Sequence, residues 1–248
     1  MKSDLAFLLP GKWMNAAGTA GFIPDNRWLL NFPDIGLFIT NPISYQARKP
    51  ARHRNLIPFQ GGFLIHNGYP NPGIKKVIQQ NRKAWENSTL PICVNVLSDD
   101  VDHIEFIVRS LENIENIVAI ELGIDNSLNQ DEVANILHAA MGELPIILNL
   151  PFEYVYQDWL QKILFPEIAA ISIQAPKGVL KYSEEYIQGR LYGKSIFPLT
   201  LNAVQHLSSL EKPIFAGVGA LHEHQISILL EAGASNFQAH ELIWRNNI

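Results

Sequence analysis

Gly217 and Gly219 close an apolar run, KPIFAGV, just ahead of a helical pattern over residues 222–232. Glycine lets a backbone come close to a ligand, and bare N–H groups where a strand enters a helix favour an anion. The chemistry this spacing offers is phosphate binding. Gly189 and Gly193 in GRLYGKS could add a second turn of N–H groups, with Lys194 as a nearby cation. His240 and Glu241 follow the next apolar run. A charged Glu241 would repel a phosphate in a pocket of low dielectric, unless it turns away as a first-turn helix carboxylate. A protonated His240 would offset part of that repulsion.

The other polar residues that end apolar runs are mostly amides: Asn15, Asn41, Asn95, Asn149, Gln174 and Gln238, with Thr40, Ser98 and Asn126. Amides can hold a heterocycle or a carboxylate, but they do not titrate near neutrality and make poor acids and bases. The eight histidines, His53, His66, His103, His138, His206, His222, His224 and His240, are scattered. The close pair, His222 and His224, is spaced i, i+2 and does not share a helix face, so a metal-dependent hydrolase is disfavoured. The lone Cys93 sits in LPICVNVL as a small buried hydrophobe, which excludes a disulfide scaffold and fits a reducing cytoplasm.

These residues need a frame, and the apolar runs supply it. Eight runs rich in Ile, Val and Leu occupy residues 13–17, 36–40, 91–97, 117–122, 145–150, 169–174, 213–218 and 235–239. Runs of this length suit strands buried on both faces of a parallel sheet. Between them, helical periodicity marks residues 74–86, 99–113 with Asp99 as N-cap, 131–141, 155–164, 198–210 and 222–232, the last ending at Gly233. Alternation of this kind predicts a TIM (β/α)8 barrel occupying residues 1–248 as one domain, with its site at the C-terminal ends of the strands. The alternative is an open doubly wound sheet, which wants its Gly-rich turn after the first strand rather than the seventh. The interval 41–72, rich in Pro and Gly, reads as a loop or lid over the site, and ARKPARHR at 47–54 as a solvated or anion-steering part of it. A net charge of -5 argues against nucleic-acid binding, and no apolar run is long enough to cross a membrane.

NAAGTAGF at 15–22 resembles the opening motif of the dihydroorotate dehydrogenase family, flavin mononucleotide (FMN) barrels of pyrimidine metabolism. GLFITNPISYQAR (36–48), GGFLIHNGYPNPG (61–73), GRLYGKSIFPLTL (189–201) and the segment 212–238 follow that family's landmarks in order. The resemblance implies FMN contacts at Ala17, Gly18, Thr40, Asn41, Asn149, Gln174, Gly193, Gly217, Gly219, Ala220 and His240. It implies substrate contacts around His66 and Asn67, where the family's Asn aligns with Ile65, and catalysis around Asp125, Asn126 and Ser127. Asn41 and Asn149 replace two family lysines, Asn126 replaces the Cys or Ser base, and His240-Glu241 replaces Gly-Thr at the phosphate. What carries over is a cytoplasmic flavoprotein oxidoreductase acting on a C–C bond of a small metabolite, with hydride passing to FMN, rather than dihydroorotate oxidation itself. A homodimer or an electron-transfer subunit would be its partner. The alternative is a non-redox barrel that binds a small metabolite or a partner protein without FMN.

Overall fold

The structure is a computed structural model that describes residues 13–24, 34–51, 56–97 and 100–245. Arg52, His53, Arg54, Ser98 and Asp99 lie outside the described residues. In chain order the strands are β1 (Trp13–Asn15), β2 (Ile35–Ile39), β3 (Leu56–Phe59), β4 (Gly62–Ile65), β5 (Ile92–Leu97) and β6 (Ile117–Gly123). They continue with β7 (Ile146–Leu150), β8 (Ile168–Ile173), β9 (Lys177–Tyr182), β10 (Glu185–Tyr192), β11 (Ile214–Ala216) and β12 (Asn236–Ala239). The helices are α1 (Ile74–Glu86), α2 (Val101–Leu111), α3 (Gln130–Ala139), α4 (Leu160–Ile163), α5 (Phe197–Leu207), α6 (Glu223–Glu231) and α7 (Glu241–Arg245).

All eight apolar runs become the strands of a closed parallel barrel in the order β1-β12-β11-β8-β7-β6-β5-β2. Because β1 pairs with both β2 and β12, the sheet has no edges, and the open doubly wound alternative falls. Side chains alternate along each strand, so every second residue points inward. Met14, Leu37, Ile39, Cys93, Ala119, Ile147, Ala170 and Phe215 form one buried cluster, the apolar filling of the barrel. A larger apolar cluster joins the opposite strand faces to the helices.

Five of the six expected helices form near their predicted positions. The α2 helix buries Ile104, Ile107, Val108 and Leu111, one apolar stripe, but its N-cap is Asp100, whose side chain accepts the Asp102 N–H. At α3, Asn129 accepts the Asp131 and Glu132 N–H groups at 3.0 and 3.1 Å, while Glu132 reaches back to the Asn129 N–H at 2.7 Å. This capping box predicts that Asn129→Ala lowers stability by about 1 kcal/mol, or ~2–4 °C in a thermal melt. The α6 helix ends as expected at Gly233 (φ 115°), with Gly233 and Ala234 N–H bonded to the carbonyls of Leu230 and Leu229. The expected helix over 155–164 is instead a 3-10 turn, Phe152–Tyr154, followed by the single turn α4. Val155, Tyr156 and Asp158 are weak helix formers that leave a turn between them.

The larger departure is a second sheet. Interval 41–72 is not all loop: β3 and β4 form a hairpin and join the β9–β10 hairpin in an antiparallel sheet of order β3-β4-β10-β9. Gly189, expected in a turn, lies within β10 opposite Gly178, and a Cβ there would stand 2.3 Å from the Ile65 carbonyl oxygen. Ile57, Leu64 and Ile187 form a small core under this sheet. It caps the barrel, and no helix among the described residues is long and apolar enough to cross a membrane.

Candidate ligand site at the barrel mouth

Two residues beyond the apolar filling, toward the C-terminal ends of the strands, the inward positions turn polar: Cys93 gives way to Asn95, Ala119 to Glu121, Ile147 to Asn149 and Ala170 to Ser172. Glu121 is fully buried at the centre of this layer. Its carboxylate accepts hydrogen bonds from Ser172 Oγ at 2.7 Å, Asn95 Nδ2 at 2.8 Å and Gln238 Nε2 at 2.8 Å, with Asn149 Nδ2 at 3.5 Å. Burial pushes its pKa up, and these four donors pull it part of the way back. Below it, burial and the Glu121 charge raise the Cys93 thiol well above its ordinary value, so that thiol is inert. The mouth is therefore not an array of amides alone; the amides are arranged around an acid.

Their orientation leaves atoms over. Asn95 and Gln238 both turn their amide nitrogen to Glu121, so their oxygens, together with the Nε2 nitrogen of His240, are buried without a hydrogen-bond partner. All three residues line one cleft of about 370 Å³ at the barrel mouth. Above it, sharing Ala17, Pro42, Arg48, Tyr69, Arg190 and Tyr192, a second cleft of about 680 Å³ opens under the antiparallel cap.

Of the residues singled out from the sequence, Ala17, Asn149, Gln174, His240, Asp125 and Ser127 line the lower cleft, while Gly18, Asn41, His66 and Asn67 line the upper one. Several are committed to local structure. Asn41 is tied to Gly21 through two hydrogen bonds, Gln174 donates to Asn149 O and Ile124 O, and Asn67 closes a turn on the Tyr69 N–H. Thr40 is buried, with its hydroxyl oxygen accepting the Asn95 N–H. Asp125 accepts the Ser127 N–H and lies 3.8 Å from Lys177 Nζ, which also bonds Asn126. Partial burial works to raise the Asp125 pKa, but Ser127, Lys177 and Arg190 outweigh it and the net shift is downward, making Asp125 a weak base.

Gly217, Gly219, Gly193 and Ala220 stand apart from both clefts. Gly217 is required by its own sheet, since a Cβ would lie 1.9 Å from the Gln238 carbonyl oxygen. The Ala220 N–H closes a turn onto Gly217 O. Gly193 and Gly219 do form an anion cup, both with positive φ (115° and 81°). Its occupant is the chain's own carboxylate: Glu241 Oε1 accepts the Gly193 N–H at 2.7 Å and the Gly219 N–H at 3.0 Å, and Oε2 accepts Gly219 at 3.2 Å. Glu241 does not turn away along its helix, and Lys194, offered as a helping cation, is exposed. His240 supplies no charge either, because burial lowers its pKa to about 3. The phosphate of FMN does not fit this cup, whose donors are already taken.

Sequence reasoning missed Glu121, Ser172, Lys177 and Arg190. Arg190 reaches from β10 to Gln174 Oε1 and the Ala175 carbonyl and lies 3.6 Å from Glu153, joining the cap to the barrel. The two-residue spacing of Ala119 and Glu121, shared with three other strands, was the signal for Glu121. Nothing in the sequence pointed to Arg190. Among the described residues no cluster of His, Cys, Asp and Glu could hold a metal ion.

An eight-stranded parallel barrel with polar strand ends under a separate cap defines a TIM-barrel protein with a cleft at its mouth. By sequence the chain is distantly homologous to the dihydroorotate dehydrogenases. It is 24% identical over 225 residues to a protein of Aeropyrum pernix described as a dihydroorotate dehydrogenase A (fumarate), covering 83% of this chain and 73% of that one. It is 27% identical over 118 residues to the dihydroorotate dehydrogenase B (NAD(+)) catalytic subunit of Malacoplasma penetrans, covering 48% of this chain and 39% of that protein. No protein-family model matches the chain.

Proposed function

We propose that this barrel binds a small polar metabolite at its mouth and carries no flavin, so that it is a non-redox relative of the dihydroorotate dehydrogenases. The observation that carries this reading is the set of unpaired atoms, Asn95 Oδ1, Gln238 Oε1 and His240 Nε2, on residues lining one cleft. Each buried, unsatisfied polar group costs roughly 1–3 kcal/mol, which a ligand offering N–H or O–H donors would recover. The cleft, of about 370 Å³, suits a small molecule. The Glu121 layer holds the amides in one orientation, with these acceptor atoms just beneath the cleft wall, so small side-chain shifts would turn them toward a ligand. Asn126, bonded to Lys177, has no proton-accepting group to offer, and Asp125 is held as a weak base.

A second reading, an FMN-dependent oxidoreductase acting on a C–C bond, has the homology in its favour. In that case a homodimer or an electron-transfer subunit would complete the enzyme. An absorbance scan between about 350 and 500 nm separates the two, because bound flavin absorbs there. The purified protein is expected to be colourless, to take up no added FMN, and to release a small non-flavin molecule on heat denaturation. A yellow protein that passes electrons to an acceptor would overturn this reading.

A further inference from the structure

We infer that Glu241 is a built-in anion: its carboxylate fills the oxyanion cup made by the Gly193 and Gly219 N–H groups, shuts phosphate-bearing ligands out of it, and leaves a latent phosphate site when removed. This deepens the proposed function, on which it rests, by naming what keeps a flavin phosphate from the barrel.

The geometry is specific. Two N–H groups from separate segments converge on Oε1 of a side chain that is 5% exposed. Both donors sit on glycines whose positive φ turns the N–H inward. Neither glycine has room for a side chain. A Cβ on Gly193 would lie 2.4 Å from the Gly62 Cα, and one on Gly219 would lie 2.5 Å from the Phe197 N. A cup built this closely from backbone donors is an anion receptor whichever anion fills it. A carboxylate carried on the same chain holds it at high effective concentration, and a free phosphate must compete with it for the same two donors. Burial raises the Glu241 pKa while the Gly193 and Gly219 N–H groups pull it back, and the adjacent His240, buried and neutral, offers a phosphate no compensating cation.

The full chain tests this with Glu241→Gly and Glu241→Gln, melted in increasing inorganic phosphate against chloride at matched ionic strength. The wild type is expected to show no saturable response to millimolar phosphate. Glu241→Gly is expected to melt lower and to regain stability saturably, with an apparent phosphate affinity at least tenfold above the wild type. Glu241→Gln keeps the cup filled by its amide and should lose stability without phosphate rescue. Saturable phosphate binding by the wild type, followed directly by calorimetry, would overturn the inference whether or not the variants fold. So would a Glu241→Gly chain that shows no phosphate response, either in melting or in refolding yield. A colourless wild type paired with an unresponsive Glu241→Gly would sink the cup assignment and leave the mouth reading standing, whereas a yellow protein would sink the mouth reading.

Discussion

Glu121→Ala is expected to destabilise the protein by about 3–5 kcal/mol, because it strands several buried donors at roughly 1–3 kcal/mol each. In a chain of this size about 2–4 °C is lost per kcal/mol, so the melting temperature should fall on the order of 10 °C. The loss comes from the partners left behind: Asn95 Nδ2, Gln238 Nε2 and Ser172 Oγ all point at Glu121, and a methyl group accepts from none of them. Glu121→Gln should cost less, since it keeps one acceptor oxygen and the Ser172 hydroxyl can turn to accept. Gln238→Leu should cost less in the Glu121→Ala background than alone, because its donor has by then lost its partner. Additive losses in that cycle would mean that Gln238 and Glu121 are not coupled.

The same residue gives a pH dependence of definite sign. Burial raises the Glu121 pKa above its ordinary 4.5, so the folded chain holds this proton more tightly than the unfolded chain does. The resulting stability is complete below pH 4.5 and is lost as the pH rises through the folded value. Glu121→Gln removes that slope. Urea denaturation of both proteins at several pH values should therefore show the wild type losing ground to Glu121→Gln as the pH climbs. A constant difference would place the Glu121 pKa at its ordinary value.

Glu121 also marks how far the sequence could be read. The barrel was legible because each of its eight strands is buried on both faces and so appears as a short, mainly apolar run. A single acid inside IVAIEL is hard to see for the same reason, since the run reads as a strand whether that residue faces in or out. Its role appears once the strands are aligned: Asn95 lies opposite Glu121 and Asn149 opposite Ser172, while β6 and β7 are staggered so that Glu121 lies opposite Ile147 and reaches Asn149 and Ser172 through its side chain. The cap was not legible. Strands β9 and β10 are largely exposed, and β10 pairs with β4, whose residues lie more than a hundred positions away in the chain. Gly217 and Gly219 show a third limit: two glycines separated by one residue look alike in sequence, yet one yields to a neighbouring strand and the other to an anion. The anion itself, Glu241, was visible as a group in conflict with phosphate, and the conflict is resolved by the glutamate taking the phosphate's place.

His240→Phe is expected to make the protein markedly more resistant to acid. Burial depresses the His240 pKa from 6.5 to about 3, so the folded chain refuses a proton that the unfolded chain accepts. A depressed base contributes stability that is complete above 6.5 and is lost as the pH falls toward 3. Each pH unit in that window costs about 1.4 kcal/mol, so the wild type should forfeit on the order of 4–5 kcal/mol across it. Glu121 and Glu241 act in the opposite direction, since both have raised pKa values and gain stability when protonated. The difference between wild type and His240→Phe isolates the histidine, because both carboxylates remain in the variant. Phenylalanine keeps a ring near Tyr192, whose centroid lies 6.0 Å from that of His240, so packing is largely preserved. Denaturation midpoints at pH values from neutral downward should show the variant overtaking the wild type, and the His240 ring proton resonances should stay at their neutral positions well below the ordinary midpoint. A ring that titrates near its usual value would show that water or a bound partner reaches Nε2. In that case the atom counted as awaiting a ligand would already be satisfied, and Asn95 and Gln238 alone would define the floor of the mouth.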